Sequence, residues 1–243
     1  MKFYRVNVEE RRELGSYTLL RYRWNGSVKP GQFAMARAAG YPVTLDPFLA
    51  RPFSFYDHDG EVTSLLFEVR GRGTALLDAA STIEVTAPLG QGFEIEPRLG
   101  RAALLGGGIG VAPLKILGRH LDEIGVHHDV FLGFADARSS VVAREFPGAR
   151  VATMDGSVGT HGTVLDTGVV LQDYGAVYSC GPNPMLAAVK LATGERTLCQ
   201  LSVEERMGCG NGSCNGCAVA VHGGGYVRSC IEGPVFDAEV LAW

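Results

Sequence analysis

Cys209, Cys214, Cys217 and Cys230 follow the spacing C-x4-C-x2-C-x12-C. A [2Fe–2S] cluster needs four thiolates on two irons, and C-x4-C-x2-C with a distant fourth cysteine is the plant-type way of supplying them. Gly208, Gly210, Gly212 and Gly216 suit a loop wrapped round such a cluster. Glycine reaches φ > 0 freely and lets backbone N–H groups face the sulfurs. A cluster moves one electron at a time, so this pattern points to electron transfer. Two other chemistries use cysteine. Structural zinc usually takes paired C-x2-4-C ligands or a His pair, whereas here three ligands crowd into nine residues and the fourth stands apart. Disulfides need an oxidising compartment. Residues 1–10 lack the apolar stretch of a secretory signal, which predicts a cytoplasmic protein. Of the other cysteines, Cys199 reads as a small buried hydrophobe.

A second set of residues suits phosphate. Arg51-Pro52-Phe53-Ser54 is followed by Gly71-Arg72-Gly73-Thr74. An arginine at a strand end can grip a pyrophosphate with two parallel hydrogen bonds. Gly73 can bring bare backbone close, and Thr74 can cap a helix starting at Ala75 whose N-terminus attracts anions. The same residues also fit a strand pair and a Gly-rich turn without a ligand. A third set is Gly106-Gly107-Gly108-Ile109-Gly110-Val111-Ala112-Pro113, which departs from G-x-G-x-x-G at its last position. It fits either a dinucleotide loop or a plain tight turn.

These sets need elements to position them. Up to about residue 97, short β-rich runs such as 2–8, 17–22 and 64–69 alternate with Gly, Pro and Asp turns, and Asp57–Gly60 reads as a hairpin loop. That pattern predicts a small antiparallel barrel. From 101 to 195 the strands 102–105, 130–134, 151–154 and 176–179 alternate with helix. Leu114, Leu117, Leu121 and Ile124 line one face of the first helix, and Gly125 stops it. A parallel α/β sheet is expected. The Gly107, Gly108 and Gly110 loop would then hold a dinucleotide pyrophosphate. Asp136 could take a ribose hydroxyl, while Arg138 and Ser139 beside it equally suit a 2′-phosphate, so NAD and NADP both remain open. Cys180-Gly181-Pro182 falls at a strand end, in the crevice where such sheets bind ligands. Cys180 reads as either a site residue there or inert packing.

Arg51-Pro52-Phe53-Ser54, Gly73-Thr74, the 106–113 loop, Cys180-Gly-Pro-x-Pro-Met185 and Glu204-Glu-Arg-Met-Gly-Cys209 occur in this order. Together they resemble the ferredoxin–NADP reductase superfamily, and more closely the electron-transfer subunits of class B, NAD-dependent dihydroorotate dehydrogenases. The resemblance spans nearly the whole chain. It implies an FAD-binding barrel over 1–98, an NAD-binding α/β domain over 99–197 and a [2Fe–2S] module over 198–243. It places FAD on Arg51, Pro52, Phe53, Ser54, Leu66, Phe67, Glu68, Gly73 and Thr74. It places NAD near Gly107, Gly108, Gly110, Asp155 of an Asp-Gly-Ser loop, and Cys180. The four cysteines would hold the cluster. The resemblance further implies an FMN-bearing catalytic subunit as partner, a two-plus-two heterotetramer and a place in pyrimidine biosynthesis, with no catalytic acid, base or nucleophile on this chain. A related reductase serving ferredoxin or an oxygenase would share the FAD and NAD domains.

Composition agrees with a soluble globular protein and narrows its partners. The chain has 243 residues, 46% hydrophobic and 20% charged, with net charge −4. No Lys/Arg run suits nucleic acid, and no apolar stretch of about 18 residues suits a membrane. A (β/α)8 barrel alone takes about 250 residues, so a catalytic barrel of that kind has to be another chain. The C-terminal run from Ile231 carries Val235, Phe236, Leu241 and Trp243, which must pack either on their own module or on a partner.

Overall fold

The computed structural model describes residues 1–40, 47–96, 98, 100–194 and 197–243. The expected boundary at 98/99 involves Leu99, which lies outside the described residues, as does Pro97 beside it. The first half contains β1 (Phe3–Leu14), β2 (Tyr17–Arg23), β3 (Phe33–Ala38), β4 (Arg51–His58), β5 (Val62–Glu68), helix α1 (Arg72–Ala79) and β6 (Thr82–Thr86). Among the described residues these strands close an antiparallel barrel in the order β1-β2-β5-β4-β3-β6. Alternation drives closure: Leu20, Tyr22, Ala34, Ala36, Phe53, Phe55, Leu65, Phe67, Ile83 and Val85 point inward as one apolar cluster. The β4–β5 hairpin turns where expected. The Asp59 carboxylate accepts the N–H groups of Glu61 and Val62, at 3.0 and 2.7 Å.

The second half holds β7 (Ala102–Gly107), α2 (Ala112–Glu123), β8 (His128–Phe134), β9 (Arg150–Thr153), β10 (Thr160–His161), β11 (Ala176–Cys180), α3 (Asn183–Thr193) and β12 (Leu198–Ser202). It is followed by β13 (Ala218–Ala220), β14 (Tyr226–Arg228) and β15 (Val235–Asp237). The large sheet runs β10-β9-β8-β7-β11-β12-β15, parallel except for β15. Chain order reverses between β7 and β11, which opens a ligand crevice above their C-terminal ends. Leu114, Leu117 and Leu121 of α2 are fully buried. Each stabilises the fold by roughly 1.5–3 kcal/mol. Ile124, expected on the same face, lies past the helix end and is half exposed.

Two expectations need correction. The module expected from residue 198 gives its first strand, β12, and a later one, β15, to the large sheet. Leu198–Ser202 is nearly all buried, so it satisfies its backbone groups beside β11 rather than in a loop-rich unit. The helix expected at Ala75 starts at Arg72, with Gly71 as its cap. Thr74 is therefore inside the first turn, where its hydroxyl accepts the N–H groups of Arg70 and Gly71 at 3.0 and 3.1 Å. It thus takes the Gly71 cap N–H from inside the first turn, as in a capping box, rather than capping from the position before the helix.

The halves pack as one body. Tyr17, Leu19, Tyr56 and Leu66 on the outside of the barrel join Val111, Leu114 and Leu117 in a single buried cluster. Arg119 on α2 donates to Asp57 at 2.8 Å and also to the His58 carbonyl. The C-terminal run is used internally. Val235, Phe236 and Leu241 are buried, and Lys190 Nζ donates to the carbonyls of Leu241 and Trp243 at 2.7 and 2.9 Å. Packing on the chain's own sheet, rather than on a partner, thus accounts for this apolar tail.

Candidate functional site: a cavity joined to a cysteine loop

A cavity of ≈ 400 Å³ opens where the barrel meets the large sheet. Its barrel wall is Arg51, Pro52, Phe53 and Ser54 of β4, Leu66, Phe67 and Glu68 of β5, and Thr74 of α1. All eight come from the set assigned to FAD in the sequence. Gly73 completes that set by proximity. A Cβ built on it would stand 2.5 Å from the Arg51 guanidinium carbon, so only glycine lets the arginine lie flat over this turn. Arg51 also donates to the Leu49 carbonyl, and Arg70 pairs with Glu68 at 2.7 Å. Two cations beside bare backbone at the start of a helix make an anion-binding corner, while Leu66 and the strand backbone at Phe53 and Phe67, whose rings turn into the barrel, offer a flat wall for a ring.

The opposite wall is formed by residues given no role in the sequence: Ile109, Ala112, Ser202, Val203, Glu204 and Met207. Only the pairing of β12 beside β11 reveals them: it puts Ser202 at the C-terminal end of a parallel strand, where such folds bind ligands. The Glu204 side chain is open to the cavity yet hemmed in by protein. That burial raises its carboxyl above the usual carboxylate range, and Arg70 partly offsets the effect.

The glycine loop after β7 and the turn after β11 meet at the crevice. A Cβ on Gly110 would lie 2.3 Å from the Cys180 carbonyl oxygen, and one on Gly107 would lie 2.4 Å from Met185 Sδ. Gly108 has φ +55 and faces the Tyr17 hydroxyl. Cys180 itself is buried beside Ser202 rather than on the cavity wall, and burial pushes its thiol well up. Asp155 stands apart from the cavity. It accepts the Ser157 N–H and hydroxyl at 3.0 and 2.6 Å and lies near enough to Asp136 for the two charges to repel. Asp136 in turn holds the Ser139 N–H at 2.8 Å, so it already caps its own turn.

The cysteine loop lies against the barrel. Cys217 and Cys230 are buried with Phe33, Met35 and Ala50, and Met207 and Leu89 pack beside them. A Cβ on Gly210 would stand 2.6 Å from Met35 Cγ, so that glycine sets how closely the loop seats. Cys209 neighbours the Cys214 side chain, and Cys230 neighbours the Cys217 side chain and is also influenced by Cys209. Burial raises the Cys209 thiol, but backbone N–H groups of Asn211, Cys214 and Ser213 and the Cys214 side chain bring it down to about 7. Among the described residues, no three Cys, His, Asp or Glu side chains are grouped as a single-ion site. Four neighbouring thiols, with the N–H groups of Asn211 and Gly216 donating to Cys209 and Cys214 Sγ at 3.5 and 3.4 Å, fit a two-iron cluster, which takes two protein thiolates per iron. Phe33 and Met207 belong both to the cavity wall and to the packing around Cys217 and Cys230.

Known proteins share this architecture. Residues 204–242 match the iron-sulfur cluster binding domain of dihydroorotate dehydrogenase B. The dihydroorotate dehydrogenase B (NAD(+)) electron transfer subunit of Listeria monocytogenes serovar 1/2a is 40% identical over 225 residues, 87% of each chain. This chain belongs to that electron-transfer-subunit family. The Bacillus caldolyticus member is likewise 40% identical, over 86% of this chain and 85% of its own. Among solved structures, the NADH-dependent reduced ferredoxin-NADP oxidoreductase has a chain with a TM-score of 0.84 at 24% identity, covering 98% of this chain and 90% of that one. Phthalate dioxygenase reductase aligns with a TM-score of 0.65 at 13% identity, covering 90% and 86%. These two likenesses are of fold. No helix among the described residues is long and apolar enough to cross a membrane.

Proposed function

We infer that this chain carries electrons between NAD and the FMN of a dihydroorotate dehydrogenase catalytic subunit, through FAD and a [2Fe–2S] cluster, in pyrimidine biosynthesis. The observation that carries this reading is the shared wall: Phe33 and Met207 touch both the cavity and the cysteine loop. Bound FAD supplies the exchange between paired electrons, carried as hydride by NAD, and the single electrons a cluster accepts. The chain's residues do the placing. Arg51 grips the FAD pyrophosphate, Gly73 lets it approach, and Thr74 fixes the turn beneath it. Pro52, Phe53 and Ser54 on one strand, with Leu66, Phe67 and Glu68 on the next, hold the flavin ring against the sheet. Gly107, Gly108 and Gly110 leave the strand-end crevice open for NAD, with Asp155 and Cys180 at its margins. Cys209, Cys214, Cys217 and Cys230 hold the cluster.

The division that fits these roles is an FAD barrel over 1–98, an NAD domain over 99–202 and a cluster region over 204–242 that returns β15 to the sheet. The exposed side of the cluster loop, where Cys214 lies, faces the partner subunit in a two-plus-two heterotetramer in the cytoplasm. A stand-alone ferredoxin or oxygenase reductase shares this fold, but the 40% identical relatives favour the dihydroorotate reading.

The test is the composition of the anaerobically purified chain. It should carry one FAD and two irons with two sulfides. Alanine at Cys209, Cys214, Cys217 or Cys230 should remove both irons, while Cys199→Ala should retain them. One zinc and no iron after reconstitution would overturn the cluster assignment. For Cys180, the Ala variant should keep FAD yet slow flavin reduction by NADH. An unchanged rate would return Cys180 to a packing role.

A further inference from the structure

Ser229 is fully buried, and its hydroxyl finds no partner among the described residues. A buried hydroxyl without an acceptor is costly, so its persistence calls for one. Its neighbours suggest what that acceptor is. Strands β13 and β14 pair antiparallel with Ala218 opposite Arg228. One step further along that register, Ser229 stands opposite Cys217 and donates its N–H to the Cys217 carbonyl at 2.9 Å. Residues opposed across an antiparallel ladder carry their Cβ atoms roughly 5 Å apart. Ser229 also directly precedes Cys230. The orphaned hydroxyl is thus flanked by two of the proposed cluster ligands, one across the hairpin and one along the chain. Its side of the loop is closed to solvent, since Ser229, Cys217 and Cys230 are all buried.

We infer that Ser229 is a positioning and tuning residue whose hydroxyl donates a hydrogen bond to a cluster sulfur, either the Cys217 thiolate or a bridging sulfide. This rests on the cluster reading above. Reduction adds negative charge to the cluster, and a donor aimed at sulfur stabilises that charge more in the reduced state. Hydrogen bonding to sulfur is one of the levers that set such potentials. In a buried, low-dielectric site it acts with little screening.

The experiment is an anaerobic redox titration of the iron-loaded full chain, following the cluster by electron paramagnetic resonance, with iron and sulfide measured first. If the wild-type chain takes up no iron, the cluster reading itself has failed, which is a different result from an unaltered potential. Ser229→Ala that keeps two irons should be harder to reduce by about tenfold in the equilibrium constant, a fall of about 59 mV for one electron. Ser229→Thr, which keeps the hydroxyl, should restore the wild-type potential. An alanine variant with full iron and an unaltered potential overturns the inference. If Ser229→Ala cannot hold iron, the near-isosteric pair Ser229→Thr and Ser229→Val decides. A higher potential in the threonine variant, or iron retained only there, supports the hydrogen bond. Equal potentials, or iron lost from both, reduce Ser229 to packing.

Discussion

Gly110→Ala should cut the rate of flavin reduction by NADH about 10²-fold while leaving FAD bound. The added methyl would meet the backbone of Cys180 and Gly181 at 2.3 to 2.6 Å, and backbone cannot rotate out of the way as a side chain can. Either the loop after β7 or the turn after β11 has to shift, and both border the crevice at the sheet's reversal point. A displacement of about 1 Å in a binding site is enough for a loss of that size. The strain should also destabilise the α/β half by about 1–3 kcal/mol. The barrel does not depend on this contact, so FAD content separates local damage from global unfolding. Rapid-mixing reduction by NADH and thermal unfolding would check both parts. A variant with wild-type reduction rates would mean that NAD does not use this crevice.

The second large effect concerns Arg51. Its guanidinium lies over Gly73 at the cavity's anion corner, and Arg70 beside it is already paired with Glu68. Hydrogen bonds to a charged group are worth about 1.5–3 kcal/mol each, so losing a two-pronged grip on pyrophosphate should weaken FAD binding by about 10²-fold or more. Arg51→Ala should emerge from purification colourless in flavin but still holding iron, because the cysteine loop packs on Met35 and Leu89 rather than on Arg51. Arg51→Lys should recover only part of the affinity, since an ammonium cannot reproduce the planar fork. Equilibrium dialysis with FAD measures both. Full FAD retention by Arg51→Ala would move the pyrophosphate elsewhere.

Much of this site is legible in the sequence, for local reasons. The cysteine spacing constrains a single loop. The barrel strands read as short alternating or β-rich runs between turns, and α2 shows Leu114, Leu117 and Leu121 at helical spacing, so these elements are marked within their own residues. What stayed hidden depends on pairing between distant segments. Nothing local in Leu198–Ser202 says that it lies beside β11, or that Val235–Asp237 returns antiparallel to it. Consequently Ser202, Val203, Glu204 and Met207 could not be seen as the second wall of the cavity. Phe33, the link to the cysteine loop, reads in sequence only as one more barrel residue. Thr74 shows a different limit. Its pattern did mark a helix start, but helix ends slip by a few residues, and the glycine at 71 could open the turn earlier.

The central claim is that electrons from dihydroorotate reach NAD by way of this chain's cluster and FAD. The most direct measurement is NADH formation from dihydroorotate and NAD by this chain co-expressed with a dihydroorotate dehydrogenase catalytic subunit from the same source. Wild-type chain and Cys214→Ala should be compared as assembled complexes of verified flavin content. Cys214 suits the comparison because it is exposed, so its loss should not disturb the buried packing around Cys217 and Cys230. The account predicts a complex that forms NADH with the wild-type chain and falls to background with Cys214→Ala, while NADH still reduces this chain's flavin. A Cys214→Ala complex that lacks iron yet forms NADH at the wild-type rate would contradict it.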